Sequence, residues 1–313
     1  MSWTDLRGRL LVIVAAAGFG LMPIFAQYAY AEGMGVQTLL LLRFAIAAAA
    51  LLGYLALTRT LVWPGRRALA RFALLGAVLY AAQSTLYFTA VRYISPTLAV
   101  LLLYLYPALV VLLTSVIERT PPPLTRLASI GLSLVGVVIV LGAPTGGVRV
   151  AGVLLALGAA LTYAVYIVAG DRFSSTLPPF TTAAYVIAFA AVSFAVTGFA
   201  GGAIDLTVSP RGWAAVVGVA VISTIVAIGC FFAGLAAVGP TQAAILSVVE
   251  PVVSVAATAL LLHKGVSALQ IVGGVLVLAA AVWGVAGGGD RRTPPAGHPD
   301  EPVAAGGADP VRG

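Results

Sequence analysis

Charge is what this sequence has least of. Only 9% of its 313 residues are Asp, Glu, Lys or Arg, against 61% hydrophobic ones and a mean hydropathy of +1.09. A soluble fold of this length carries about a quarter charged residues. So few charges cannot cover a surface that faces water, which excludes soluble enzymes, secreted scaffolds and nucleic-acid binders. Cysteine is nearly absent: Cys230 stands alone in an apolar run, so neither a disulfide framework nor a cysteine metal site can form. Lys264 is the one lysine, which rules out a Walker phosphate loop, and His263 and His298 are too far apart for a histidine metal centre. HExxH and Gly-x-Ser-x-Gly are missing as well. No enzyme activity, no metal and no cofactor are expected.

What the sequence has is length of apolar chain. A bilayer core of about 30 Å needs roughly 20 helical residues. Ten stretches meet that need, near 10–30, 37–57, 71–90, 94–117, 125–142, 150–170, 180–200, 212–234, 239–262 and 268–287. They are continuously apolar and rich in Ala, Leu, Val and Gly, where a transmembrane barrel would alternate apolar and polar residues. The fold class is therefore all-α and polytopic. Short breakers such as Trp63-Pro64-Gly65 and Pro121-Pro122-Pro123 leave no room for a soluble domain. After Gly289 the chain turns to Pro, Gly, Ala and Asp, and 290–313 reads as a disordered cytoplasmic tail. Arg7, Arg9 and the first apolar run imitate a secretory signal ending at Ala29-Tyr30-Ala31. The run is longer than an ordinary signal core, and it reads instead as the first transmembrane helix. With the N-terminus inside, the ends and loops of the cytoplasmic side hold twelve arginines. The outer side holds only Arg92, Arg149, Arg211 and Lys264. Both termini are thus expected in the cytoplasm and the protein in the plasma (inner) membrane.

Sliding the chain against itself gives a match at an offset of 144. Pro96-Thr97 meets Pro240-Thr241 and Pro107 meets Pro251, two prolines at one shared spacing, while Phe19 meets Tyr163 and Phe88 meets Phe232. Residues 1–145 and 146–289 are the two expected repeats of five helices each. An odd number makes the second copy enter the membrane upside down, the inverted arrangement typical of secondary transporters, whose site lies near the midplane between the halves.

These residues resemble a family. Arg43-Phe44 early in the second helix, Tyr93-Ile94-Ser95-Pro96 leading to Tyr106-Pro107 in the fourth, and Glu118 after it look like the EamA family of the drug/metabolite transporter superfamily. Val238-Gly239-Pro240 leading to Val249-Glu250-Pro251-Val252 is similar to that family's pattern in the ninth helix. The resemblance covers roughly 8–287. It departs where the family's second acidic residue would close the ninth helix, since Leu262-His263-Lys264 stands there. The resemblance implies solute transport, most often efflux of amino acids, related metabolites or drugs.

A few polar residues stand out against the apolar ground. Glu250 is placed about ten residues, or 15 Å, into a helix that starts near Pro240. A carboxylate at that depth costs several kcal/mol unless it faces a cavity, pairs or takes a proton, so it is a candidate for substrate binding or coupling. A protonated acid holding a neighbouring helix is the structural alternative. Ser247, Glu250, Ser254 and Thr258, spaced 3, 4 and 4, form one stripe of that helix. Arg43, about 9 Å deep in the second helix, is either a holder of an anionic group or an interfacial anchor that snorkels outward. Gln83 and Tyr87 share a face of the third helix, and Tyr104 and Tyr106 flank Pro107. They offer stacking area and orienting hydrogen bonds to a bound solute, or simply pack between helices. Tyr163, Tyr166, Thr224 and Gln242 are weaker candidates of the same kind. Pro107 and Pro251 are the expected hinges. Gly287-Gly288-Gly289-Asp290 imitates the signature of intramembrane aspartyl proteases, but no second intramembrane Asp accompanies it and a catalytic dyad cannot form.

The function expected is secondary transport, an exporter of amino acids or related small metabolites by alternating access. Protons are the candidate coupling ion, facilitated diffusion is the uncoupled mode, and membrane lipids surround the chain. A multidrug efflux carrier, a channel and a lipid flippase are the alternatives.

Overall fold

The computed structural model describes residues 3–122, 124–141, 149–173 and 177–286. The expected tail at 290–313 lies outside these residues. Every regular element among those described is helical: α1 (Trp3–Ala31), α2 (Val36–Leu57), α3 (Gly65–Tyr93), α4 (Pro96–Leu103), α5 (Tyr106–Glu118), α6 (Leu124–Leu141), α7 (Val150–Arg172), α8 (Pro179–Ala200), α9 (Pro210–Gly239), α10 (Val249–Leu261) and α11 (Ala268–Ala286). Helices satisfy their own backbone hydrogen bonds, which an apolar surrounding demands. Seven stretches are long and apolar enough to cross a membrane, with α4 and α5 together forming one of them, 96–118. Shorter apolar helices occupy Leu127–Val140, Val249–Leu261 and Ala268–Trp283. The outward faces are apolar too: Leu124, Val116, Val150, Leu260 and Val138 are all largely exposed. This is a multi-pass membrane protein whose outer surface suits acyl chains.

Two helix starts use the same device. Ser95 and Ser209 each precede a proline and accept from the amide N–H of Leu98 (3.3 Å) and Gly212 (3.0 Å) respectively, so the serine caps a helix whose first residue has no N–H to satisfy. The loop after α8 is tied down by polar contacts with the chain around α1 and α2. Thr38 Oγ1 accepts from the Asp205 amide and Ser209 Oγ donates to Glu32 at 2.7 Å. Within that loop the hydroxyl and amide of Thr207 donate to Asp205 and hold its carboxyl below the ordinary carboxylate range.

The packing partners follow a pattern. Helix α1 lies against α9 and α10, and α7 lies against α3, α4 and α5; α2 packs on α8, and α6 on α11. Two helices carry a π-helical stretch, Leu74–Tyr80 in α3 and Gly218–Val226 in α9, and their first residues are separated by the same 144 positions as the sequence repeat. π-Turns are rare and gather at functional sites. Two helices are broken instead. The chain turns at Tyr104-Leu105 between α4 and α5, and again at 247–248, between the helical segment 240–246 and α10. Pro107 and Pro251 explain both breaks: lacking an N–H, they leave the carbonyls of Leu103 and Ser247 without their helical partner. Gly239, with φ +78°, separates α9 from segment 240–246.

Helices α6 and α11 meet through a glycine pair. A Cβ on Gly136 would lie 2.7 Å from the carbonyl oxygen of Gly273, and one on Gly273 2.5 Å from that of Gly136, so only glycine permits this approach. Gly273→Leu is therefore expected to cost about 1–3 kcal/mol through forced separation of the two helices. A lowered unfolding temperature in detergent checks this, and an unchanged one would show that the contact is dispensable.

Candidate functional site

The site begins with two charges inside the bundle. Arg43, on α2, is 2% exposed, so the guanidinium turns into the protein and the interfacial-anchor reading does not hold. Its Nε donates to Thr224 Oγ1 of α9 at 3.0 Å. Its carbon Cζ stands 4.6 Å from the ring centre of Phe44 and 5.2 Å from that of Phe88, so two aromatic faces cover the cation. The phenols of Tyr80 and Tyr87 are close by. Among the described residues no carboxylate pairs with it.

The second charge is Glu250. Contrary to the expectation of a helix running unbroken from Pro240, it stands in the first turn of α10, immediately after the break at 247–248. Pro251 is the cause, because it cannot bond back to Ser247. The freed Ser247 carbonyl accepts from the Glu250 amide at 3.0 Å and from the Tyr104 hydroxyl at 2.9 Å. The same hydroxyl is 3.1 Å from Glu250 Oε2. One phenolic proton thus faces two acceptors, a carboxylate and a backbone carbonyl. Glu250 is half-buried in the first turn of its helix, and among the described residues no cation pairs with it.

A continuous run of aromatic rings joins the two charges. Phe194 stacks on Phe44 at 5.4 Å and 6°, Phe44 meets Tyr80 at 5.3 Å, and Tyr80 stacks on Tyr166 at 5.5 Å. Tyr166 stacks on Tyr163 at 6.0 Å, Tyr163 meets Tyr106 at 4.7 Å, and Tyr106 meets Tyr104 at 6.0 Å. The run begins beside Arg43 and ends on the residue that bonds Glu250. Tyr87 lies within electrostatic reach of both charges. Apolar ring faces with phenol tips form a wall that stacks planar or aliphatic groups while offering few, directed hydrogen bonds. A cavity of about 310 Å³ adjoins the run through Tyr166 and is mostly apolar, with Phe72, Leu75, Phe173, Val186 and Phe232 among its walls and Thr182 beside them.

Most of the candidates read from sequence converge here: Arg43, Tyr87, Tyr104, Tyr106, Ser247 and Glu250, with Tyr163, Tyr166 and Thr224. Others do not. The polar stripe along α10 is split, for Ser247 lies in the break, while Ser254 and Thr258 are fully buried. Ser254 Oγ has no hydrogen-bond partner, and Thr258 Oγ1 donates to the Ser254 carbonyl at 2.7 Å. Gln83 is buried with its amide oxygen accepting from Ser84 at 3.4 Å, and Gln242 is exposed. Sequence reasoning missed Tyr80, Phe88 and Phe194. Tyr80 carried a usable signal, since it stands at the repeat position of Thr224; the two phenylalanines are indistinguishable from core residues until the helices cross.

The sequence model of the EamA-like transporter family matches this chain twice, over residues 6–142 and 150–285. Among solved structures 21 chains match. One, described only as the crystal structure of a protein, is 21% identical over 88% of this chain and 95% of its own, with a TM-score of 0.61; it is similar in fold. No curated protein matches.

Tyr104→Phe keeps the ring in the aromatic run but removes the hydroxyl that serves Ser247 and Glu250. A loss of about 1–2 kcal/mol in unfolding stability is expected, because a buried carbonyl and a carboxylate lose a donor together. A variant as stable as the wild type in detergent unfolding would mean that neither acceptor depends on this phenol.

Proposed function

The chain belongs to the EamA-like transporter family of the drug/metabolite transporter superfamily, and from that premise we propose that it exports amino acids or related small zwitterionic metabolites by alternating access. What supports the substrate class is the pair of groups inside the bundle that have no counter-charge among the described residues, Arg43 from one half and Glu250 from the other, with aromatic rings between them. A solute carrying both a carboxylate and an ammonium group complements the two, and would give each a counter-charge. Of the other readings, multidrug efflux draws support from the apolar cavity beside Tyr166, which suits a larger ring-bearing solute.

In this reading ten helices form two inverted halves, 1–145 and 146–289, with both termini in the cytoplasm and the plasma membrane as the site of work. The double family match, the repeated π-helical stretches and the exchangeable packing pattern, α1 on α9 and α10 against α7 on α3, α4 and α5, support it. The breaks beside Pro107 and Pro251 are where the halves bend. At both, a proline has removed the ordinary helical hydrogen bond, and at 247–248 the Ser247 carbonyl is held instead by the Glu250 amide and the Tyr104 hydroxyl.

Proton coupling would run through Glu250 and Tyr104. When Glu250 is ionised it accepts from the Tyr104 hydroxyl. When it is protonated it donates to the phenolic oxygen, and the Tyr104 proton turns to the Ser247 carbonyl. Protonation at α10 thereby changes how strongly the α4–α5 break is tied to the 247–248 break, and ties the charge state to the shape of the bundle. A bound ammonium group competes with the proton for the same carboxylate, which is how one gradient would drive the other.

Metabolite profiling of medium and cytosol from cells overexpressing the wild type, against Glu250→Gln at matched membrane abundance, tests this. The wild type is expected to raise one zwitterionic class outside and the variant to lose any dependence on a pH gradient. Unchanged gradient dependence in Glu250→Gln would sink the coupling step, and a wild type that exports only uncharged aromatic compounds would replace the zwitterion with the multidrug reading.

A further inference from the structure

Arg43 is held by equivalent residues of the two halves. The π-helical stretch of α3 begins at Leu74 and Tyr80 is its seventh residue; the stretch of α9 begins at Gly218 and Thr224 is its seventh. Both meet at one guanidinium, Tyr80 beside it and Thr224 accepting from its Nε at 3.0 Å. Thr224 is prepared for that role by the wide turn it belongs to. Its hydroxyl donates to the carbonyl of Val219, five residues back, at 2.8 Å. In an ordinary α-helix a threonine bonds the carbonyl three or four residues back, which would aim the oxygen differently. Since its one proton is committed to Val219, Thr224 Oγ1 presents only lone pairs, and an arginine Nε–H is the donor it meets. Both side chains are buried, at 0% and 2% exposure.

The consequence lies at the other end of the guanidinium. The Phe44 and Phe88 rings lie against the guanidinium, its Nε is taken by Thr224 and the Tyr80 hydroxyl hydrogen-bonds it as well, so the N–H groups left for a solute are on its terminal nitrogens. That fork matches a carboxylate with two parallel N–H bonds, a geometry that a freely rotating arginine would not hold. We propose that Thr224 is a positioning residue, which uses the π-turn of α9 to fix the Arg43 fork in the orientation that receives the carboxylate of the transported solute. The inference rests on the zwitterionic reading above. It adds that recognition of the carboxylate on α2 depends on a hydroxyl contributed by the opposite half, so the anion site is complete only while α2 and α9 are in this register.

The test separates the hydroxyl from the shape. Thr224→Val removes the oxygen at constant volume and Thr224→Ser restores it. The full chain is purified in detergent, and unfolding temperature is followed with proteinogenic amino acids and with the matched amines that lack the carboxylate. Amino acids, but not the amines, are expected to stabilise the wild type and Thr224→Ser. Thr224→Val should need about tenfold more of the same amino acid for the same shift, the loss of one hydrogen bond to a charged group. Equal response of Thr224→Val and the wild type overturns the proposal. A second measurement is independent of any solute: in a cycle of Arg43→Gln, Thr224→Val and the double variant, the double is expected to be no less stable than Arg43→Gln alone, whereas additive losses overturn the link. If no amino acid shifts the wild type, the zwitterionic reading fails, and the cycle alone then decides whether Thr224 holds Arg43.

Discussion

A guanidinium withdrawn from water, with no carboxylate against it among the described residues, is the constraint around which the interior of this protein is arranged. Such a charge is expensive in an apolar medium, and what offsets the cost is assembled from four helices. Arg43 and Phe44 come from α2, Tyr80 and Phe88 from α3, and Thr224 from α9, while Phe194 of α8 stacks behind Phe44. The crossing of α2 with α8 and the approach of α2 to α9 both occur where this group is buried. Each contact is weaker than an ion pair.

Glu250 shows the complementary arrangement. It is tied to a break in the chain, where Arg43 lies within a continuous helix. The missing N–H of Pro251 releases a carbonyl, the released carbonyl engages Tyr104, and Tyr104 reaches Glu250. One covalent feature of proline thereby connects backbone geometry in one half with a side chain of the other. The π-helical stretches and the proline breaks are two different ways of loosening a helix, and each occurs in both copies of the repeat. Transport requires elements that adopt more than one arrangement, and these four places have already relinquished regular α-helical bonding.

The ring run between the charges gives the interior its character. Five tyrosines and two phenylalanines make a surface that is apolar in area yet polar at chosen points. The cavity beside Tyr166 extends that surface without adding charge.

Composition alone determined that this chain lives in a membrane as helices, because 9% charged residues cannot cover a water-facing surface and backbone groups in an apolar medium must bond within their own helix. The 144-residue repeat, the paired prolines and the rarity of buried charge also singled out Arg43, Glu250 and most of the tyrosines before any helix was placed. Tertiary structure decided what those residues do. An unbroken ninth helix was the natural reading of its apolar run, and the break beside Glu250 follows from Pro251 together with the Tyr104 phenol that takes over the freed carbonyl, a partner 143 residues away from Ser247. Ser254 has the spacing of a site residue and is buried without a partner, because helical period says which residues share a face and not what that face meets. The π-turn that aims Thr224 at Arg43 has no composition of its own. There α2 and α9, far apart in sequence, pack together, and such a contact is a property of packing that no local pattern encodes.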